Sequence, residues 1–185
     1  RVSEFDGFII TGAPIDQIDF SKITYIEEIR YLLQALDNHK IQQLYFCWGA
    51  MAALNYFYGI KKKILAEKIF GVFPHLITEP HPLLSGLSQG FMAPHARYAE
   101  MDKKQIMQDE RLAINAVDDN SHLFMVSAKD NPERNFIFSH IEYGKDSLRD
   151  EYNREINAHP ERHYKKPINY SMSNPSFQWQ DTQKI

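Results

Sequence analysis

Apolar residues along the chain fall in short runs divided by polar turns, and the runs alternate between strand and helix periodicity. Residues 5–10 (FDGFII) read as a buried strand that ends in the turn Thr11-Gly12-Ala13-Pro14, and residues 23–36 carry apolar positions at helical spacing. The unit then repeats. Residues 42–46 (QQLYF) form the next expected strand and residues 48–58 the next helix, with Gly59 placed to end it. Beyond them the pattern loosens. A strand is expected near residues 69–73, TEPHPLLSG reads as a surface crossing, and APHARYAE as a loop holding several polar groups together. Strands follow at 112–117, 122–127 and 135–138, then a helix in GKDSLRDEYNREINAH, where Asp150 and Arg154 stand four residues apart as an ion pair. After His159-Pro160 the composition becomes polar and irregular. A helix returning after each early strand predicts an open α/β layer, whose reactive groups gather outside the carboxyl ends of its strands.

Composition narrows the possibilities. A chain of 185 residues, 43% of them apolar, can bury one sizeable core. The net charge of −3 gives no general attraction for nucleic acid. No long apolar run suggests a membrane span. One cysteine excludes an internal disulfide framework and a cysteine-rich zinc site.

That cysteine, Cys47, stands at the junction between the second strand and its helix. A thiol there projects from the sheet, the start of the helix favours its thiolate, and the amide of Trp48 points toward an incoming carbonyl. The bland alternative is a buried apolar filler, since free cysteine is among the most buried residue types. A second clue is FIFSHIEYG, where His140 and Glu142 follow another strand. Residues two apart project to one side of an extended chain, so Glu142 can orient an imidazole that faces Cys47. If those strand ends are neighbours, Cys47 is the nucleophile, His140 the general base and later acid, and Glu142 the support for its tautomer and charge.

These residues lie in motifs that resemble the homoserine O-acyltransferases, or homoserine transsuccinylases, of the class I glutamine amidotransferase-like superfamily. The motifs are DGFIITGAP, FCWGAMAALNYFYGI, AEKIFGV, APHARYAE and FSHIEY, in the family's order across nearly all of the chain. The resemblance implies a three-layer flavodoxin-like fold with a mostly parallel central sheet, homodimers in the cytoplasm, and a catalytic set on Cys47, His140 and Glu142. It places substrate-binding roles on Lys68, on Arg97 within PHxRY and on Arg154, whose guanidinium suits an amino-acid carboxylate. The resemblance puts Ala96 in the same substrate-binding set, where several relatives carry a serine whose hydroxyl could contact substrate. His81 and His95 are expected to be hydrogen-bonding loop residues, because no spacing around them completes a metal site. The chain is expected to be a segment of a longer polypeptide. Residues 1–160 would form its catalytic domain without an N-terminal portion, and residues 161–185 an irregular extension of it.

The implied reaction is acyl transfer through an acyl-cysteine, with acetyl- or succinyl-coenzyme A as co-substrate and no metal or tightly bound cofactor. Its oxyanion pocket is expected from Trp48 and the Gly12-Ala13 loop. Asp16 matches a position that separates donors in resembling enzymes, with glycine for succinyl and glutamate for acetyl. Its carboxylate should repel the free carboxylate of a succinyl group, which favours acetyl. The expected acceptor is L-homoserine, with L-serine the alternative, because one methylene is worth only about 1–3 kcal/mol in a pocket. Two other classes remain open: a glutamine amidotransferase-like hydrolase using the same thiol chemistry, and a non-catalytic α/β binding module.

Overall fold

A computed structural model describes all 185 residues. Seven strands form one sheet: β1 (Gly7–Ile10), β2 (Gln42–Phe46), β3 (Lys62–Ile77), β4 (Phe91–Met101), β5 (Leu112–Asp118), β6 (Leu123–Ala128) and β7 (Arg134–Ile137). Four helices accompany them: α1 (Ile26–Asn38), α2 (Trp48–Tyr58), α3 (Lys103–Gln108) and α4 (Ser147–Ala158). Strand order across the sheet is β1-β2-β7-β6-β5-β3-β4. The α/β class is as expected. The parallel arrangement holds only for β1 with β2 and β2 with β7, while every other pairing is antiparallel. Length explains the split: the connections from β3 to β4, β5 to β6 and β6 to β7 are short and carry no crossover helix, so neighbouring strands must reverse.

Around the parallel strands the sequence periodicity translates directly into packing. The paired residues Tyr45 and Phe136 stack at 5.4 Å on the face covered by α1 and α2, and their strand neighbours Phe46 and Ile137 point into the core of the other face. Helix α2 is buried along most of its length, which is why its sequence is apolar all round. It ends at Gly59 in the left-handed conformation.

The middle of the chain differs from expectation. The segment read as irregular, including the APHARYAE loop, is a long β3–β4 ribbon. Its ladder breaks once: between the pairs Ile64–Ala99 and Ile69–Arg97, β3 carries residues 65–68 against Tyr98 alone. At Gly71 the ribbon meets the irregular C-terminal segment so closely that a Cβ would lie 2.4 Å from the Ile168 carbonyl oxygen. Backbone bonds from Ile168 to Phe70 and from Val72 to Ile168, both 2.9 Å, fasten that segment. No helix is long and apolar enough to cross a membrane.

Candidate active site

Cys47 is the residue on which β2 turns into α2. It adopts φ 45° and ψ −114°, a conformation that costs a non-glycine residue energy and that lifts its side chain out of the sheet. Its N–H donates to the Ile137 carbonyl at 2.8 Å, which locks the end of β2 to the end of β7. His140 follows three residues later. Its N–H donates to the Pro94 carbonyl of β4 at 3.0 Å, and the buried Ser139 hydroxyl donates to the same oxygen at 2.6 Å. The expected adjacency of the two strand ends is therefore present.

The His140 imidazole bonds through Nδ1 to the Glu142 carboxylate at 2.8 Å. Gly12 marks where Cys47 and His140 meet. A Cβ on it would stand 3.0 Å from the Cys47 Cβ and 3.3 Å from the His140 Cε1, so any side chain there would press on both. Burial disfavours the charged imidazole, but the charges and hydrogen bonds of Cys47 and Glu142 outweigh it and hold the His140 pKa up at about 10. The imidazole thus keeps its second proton far into the alkaline range.

Cys47, His140 and Glu142 line one cavity of about 620 Å³. Cys47 is 4% exposed, yet the sulfur-bearing residue is part of the cavity wall rather than sealed in the core. Gly12 and Ala13 form another stretch of wall. Their amides, like that of Trp48 at the start of α2, have no backbone acceptor. The Trp48 side chain does not enter the cavity; it packs among Phe20 and Tyr25.

Lys68 emerges from the break in the ladder and binds Glu151 at 2.9 Å and Glu155 at 2.7 Å. Arg154 also reaches the cavity, but its partner is Glu151 rather than Asp150, which is instead 3.9 Å from Arg149. The i,i+3 geometry wins because Glu151 faces the cavity with Arg154. Glu151, Arg154, Glu155 and Ala158 form one stripe of α4 along the cavity. That helical spacing was the available signal for the two glutamates, which sequence reasoning missed. Asp16 lines the cavity too, and accepts from the Tyr98 amide at 2.5 Å, the amide that the broken ladder leaves free.

Arg97 is the exception. Alternation along β4 turns Ala96 and Tyr98 toward the cavity and His95 and Arg97 away from it. The guanidinium is fully buried, donating to the carbonyls of Ala99, Leu123 and Phe138 and to Glu100. It touches no part of the cavity wall, so the expected substrate contact is replaced by a structural one. His95 belongs to the same buried cluster, where its Nε2 meets that of His75 at 2.8 Å; it is a strand residue rather than a loop residue. His81 caps a turn by accepting from the Leu83 amide at 3.2 Å. No group of three or more His, Cys, Asp or Glu side chains is arranged to hold a metal ion.

Similarity to known proteins bears on the fold and the family. Solved glutamine amidotransferases share the fold at low identity: one from Thermotoga maritima (TM-score 0.67, 12% identical, 87% of this chain and 65% of that one) and one from Methylobacillus flagellatus (0.68, 12%, 98% and 70%). Among curated relatives, the serine O-acetyltransferase of Lacticaseibacillus casei is 50% identical over 100% of this chain and 69% of its own length. The homoserine O-acetyltransferase of Lachnoclostridium phytofermentans is 36% identical over 95% of this chain and 59% of its length. The homoserine O-succinyltransferase of Shewanella frigidimarina is 42% identical over 84% of this chain, which spans only half of that relative. A family model described as homoserine O-succinyltransferase matches residues 1–185 without a gap at either end, and with the cysteine junction and its histidine–glutamate partner in place, the chain belongs to that family.

Proposed function

We propose that this chain carries the catalytic site of an acyltransferase that moves an acyl group from an acyl-coenzyme A to the hydroxyl of L-homoserine through an acyl-cysteine. The meeting of Cys47, His140 and Glu142 in the wall of one cavity carries the reading. Cys47 Sγ attacks the thioester carbonyl, the oxyanion is met by the amides of Trp48 and the Gly12-Ala13 loop, and the coenzyme A thiol leaves with a proton from His140. His140 then takes the proton of the acceptor hydroxyl as that oxygen attacks the acyl-cysteine, and the Cys47 thiolate is released. Glu142 fixes the Nδ1 proton throughout, so that the other ring nitrogen does the exchanging.

The acceptor's charged groups have partners in the cavity. Arg154, 62% exposed, has guanidinium valence left for a carboxylate, and the Glu151–Glu155 pair can draw in an ammonium group beside Lys68. Asp16 supports acetyl as the acyl group, because its carboxylate in the cavity wall disfavours a succinyl carboxylate. L-serine is the second acceptor to consider, on the similarity over the whole chain to a serine O-acetyltransferase.

The test is incubation of the protein with acetyl- or succinyl-coenzyme A and either amino acid, with product identification by mass. O-acetyl-L-homoserine is the expected product. Glutamate and ammonia from glutamine, with no acylated amino acid, would overturn the reading in favour of an amidotransferase-like hydrolase.

A further inference from the structure

One neighbour of His140 has no part in the relay described so far. Tyr143 lies flat against the imidazole, with ring centroids 4.4 Å apart and planes 15° from parallel. It lines the same cavity. The phenol is anchored independently of the imidazole: its N–H donates to the His140 carbonyl at 3.0 Å, its carbonyl accepts from the Trp179 indole at 2.8 Å, and its ring packs against the cluster of Phe70, Val72, Leu148 and Trp179. The imidazole is therefore bounded by Glu142 at Nδ1, by the Gly12 backbone at Cε1 and by an aromatic ring on one face.

We infer that Tyr143 is a positioning residue of the relay: its ring pins the imidazole of His140 in the plane that serves Cys47 and Glu142 together, and its face stabilises that imidazole while it carries the second proton. A doubly protonated imidazole is a cation, and an aromatic face attracts a cation most strongly where water is excluded. The other groups facing His140 are Cys47 from the β2–α2 junction, Glu142 from its own loop and His95 from β4, while Glu151 and Arg154 of α4 face Tyr143. The carboxylate and sulfur act at the ring's edge, and His95, whose own protonation burial and the Arg97 charge disfavour, carries no charge toward the ring, so none of them substitutes for the aromatic face. Burial, followed by the charge of Glu151, raises the Tyr143 phenol above its ordinary range, which keeps the ring neutral beside the relay.

The consequence for acyl transfer rests on the proposed function, but the effect on the His140 proton is measurable without any acyl donor. The experiment follows the rate of Cys47 alkylation by iodoacetamide against pH in the wild type, Tyr143→Phe and Tyr143→Leu. In Tyr143→Leu the upper inflection, where His140 loses its proton, is expected to fall by about one pH unit. Tyr143→Phe should keep that inflection and retain acyl transfer within about threefold, whereas Tyr143→Leu loses roughly tenfold. An unmoved upper inflection in folded Tyr143→Leu overturns the inference. Should that variant unfold, Tyr143→pentafluorophenylalanine decides, since it keeps a ring but reverses the charge of its face: a fall of the upper inflection supports the inference and an unmoved one overturns it. Absence of acyl transfer in the wild type would sink the proposed function, and the alkylation profile would still decide the role of Tyr143.

Discussion

Strand β4 separates two polar clusters of contrasting kinds. On its outward alternation, Arg97 has spent its guanidinium donors on three carbonyls and the Glu100 carboxylate, and Glu100 in turn accepts from the amides of Met101 and Leu123 at 3.1 and 2.9 Å. On the cavity side, Glu142 is 39% exposed beyond its bond to His140, and Arg154 is 62% exposed beyond its bond to Glu151. Both clusters are charged and both hold histidine. What distinguishes them is unspent hydrogen-bonding capacity, which leaves one open to a polar ligand and confines the other to holding strands together.

Substitutions at the two centres should fail in different ways. Cys47→Ala is expected to lower acyl transfer by roughly 10⁴-fold or more while the chain still melts cooperatively, measured by product formation and a thermal melt. Undiminished transfer would refute the covalent route. Arg97→Met should do the reverse: a loss of about 3–5 kcal/mol in urea unfolding, because Glu100 is left as an uncompensated buried charge, with partial recovery in Arg97→Met combined with Glu100→Gln.

The histidines of the two clusters should also give opposite pH signatures. Burial lowers the His75 pKa to about 4, and burial with the Arg97 charge lowers that of His95 well below 6.5. The unfolded chain binds these protons and the native state does not, so their contribution to stability is full above 6.5 and is lost as pH falls toward 4. His140 is raised to about 10, so its contribution is full below 6.5 and is lost as pH climbs through 10. Denaturation midpoints followed across pH should show both arms. His75→Phe is expected to flatten the acid arm, and Cys47→Ala to move the alkaline decline to lower pH; an unchanged profile in both would break the comparison. The smallest effect concerns donor choice. Asp16→Gly should raise the preference for succinyl- over acetyl-coenzyme A by about tenfold in kcat/KM, and should cost about 1–2 kcal/mol of stability through the orphaned Tyr98 amide.

The parts of the molecule that follow local rules were the parts legible in the sequence. Residues 42–46 and 48–58 have the bounds their periodicity indicates, and Gly59 ends the helix as its position suggests. The meeting of Cys47, His140 and Glu142 was legible because the strand-to-helix junction and the spacing of His140 and Glu142 are local features. Of the β3–β4 ribbon only the stretch near residues 69–73 was legible. Pro74, Pro94 and Gly71 interrupt its pattern, and His95 and Arg97 occupy buried positions that alternation normally gives to apolar side chains. Their acceptance inside depends on carbonyls of Leu123 and Phe138, which are distant in sequence. The same nonlocality hid the buried partners of Arg97 and the partnership of Lys68 with Glu151 and Glu155.

The broken ladder between β3 and β4 has a consequence for how such a site diversifies. Register is restored on both sides of residues 65–68, so chain length there can vary without shifting a single outlying strand pair. Lys68, Tyr98 and the anchor of Asp16 all belong to this one tolerant stretch. The wall of the cavity can therefore vary by insertion or deletion at one address, while Cys47, held by β2 and β7, inherits its geometry unaltered.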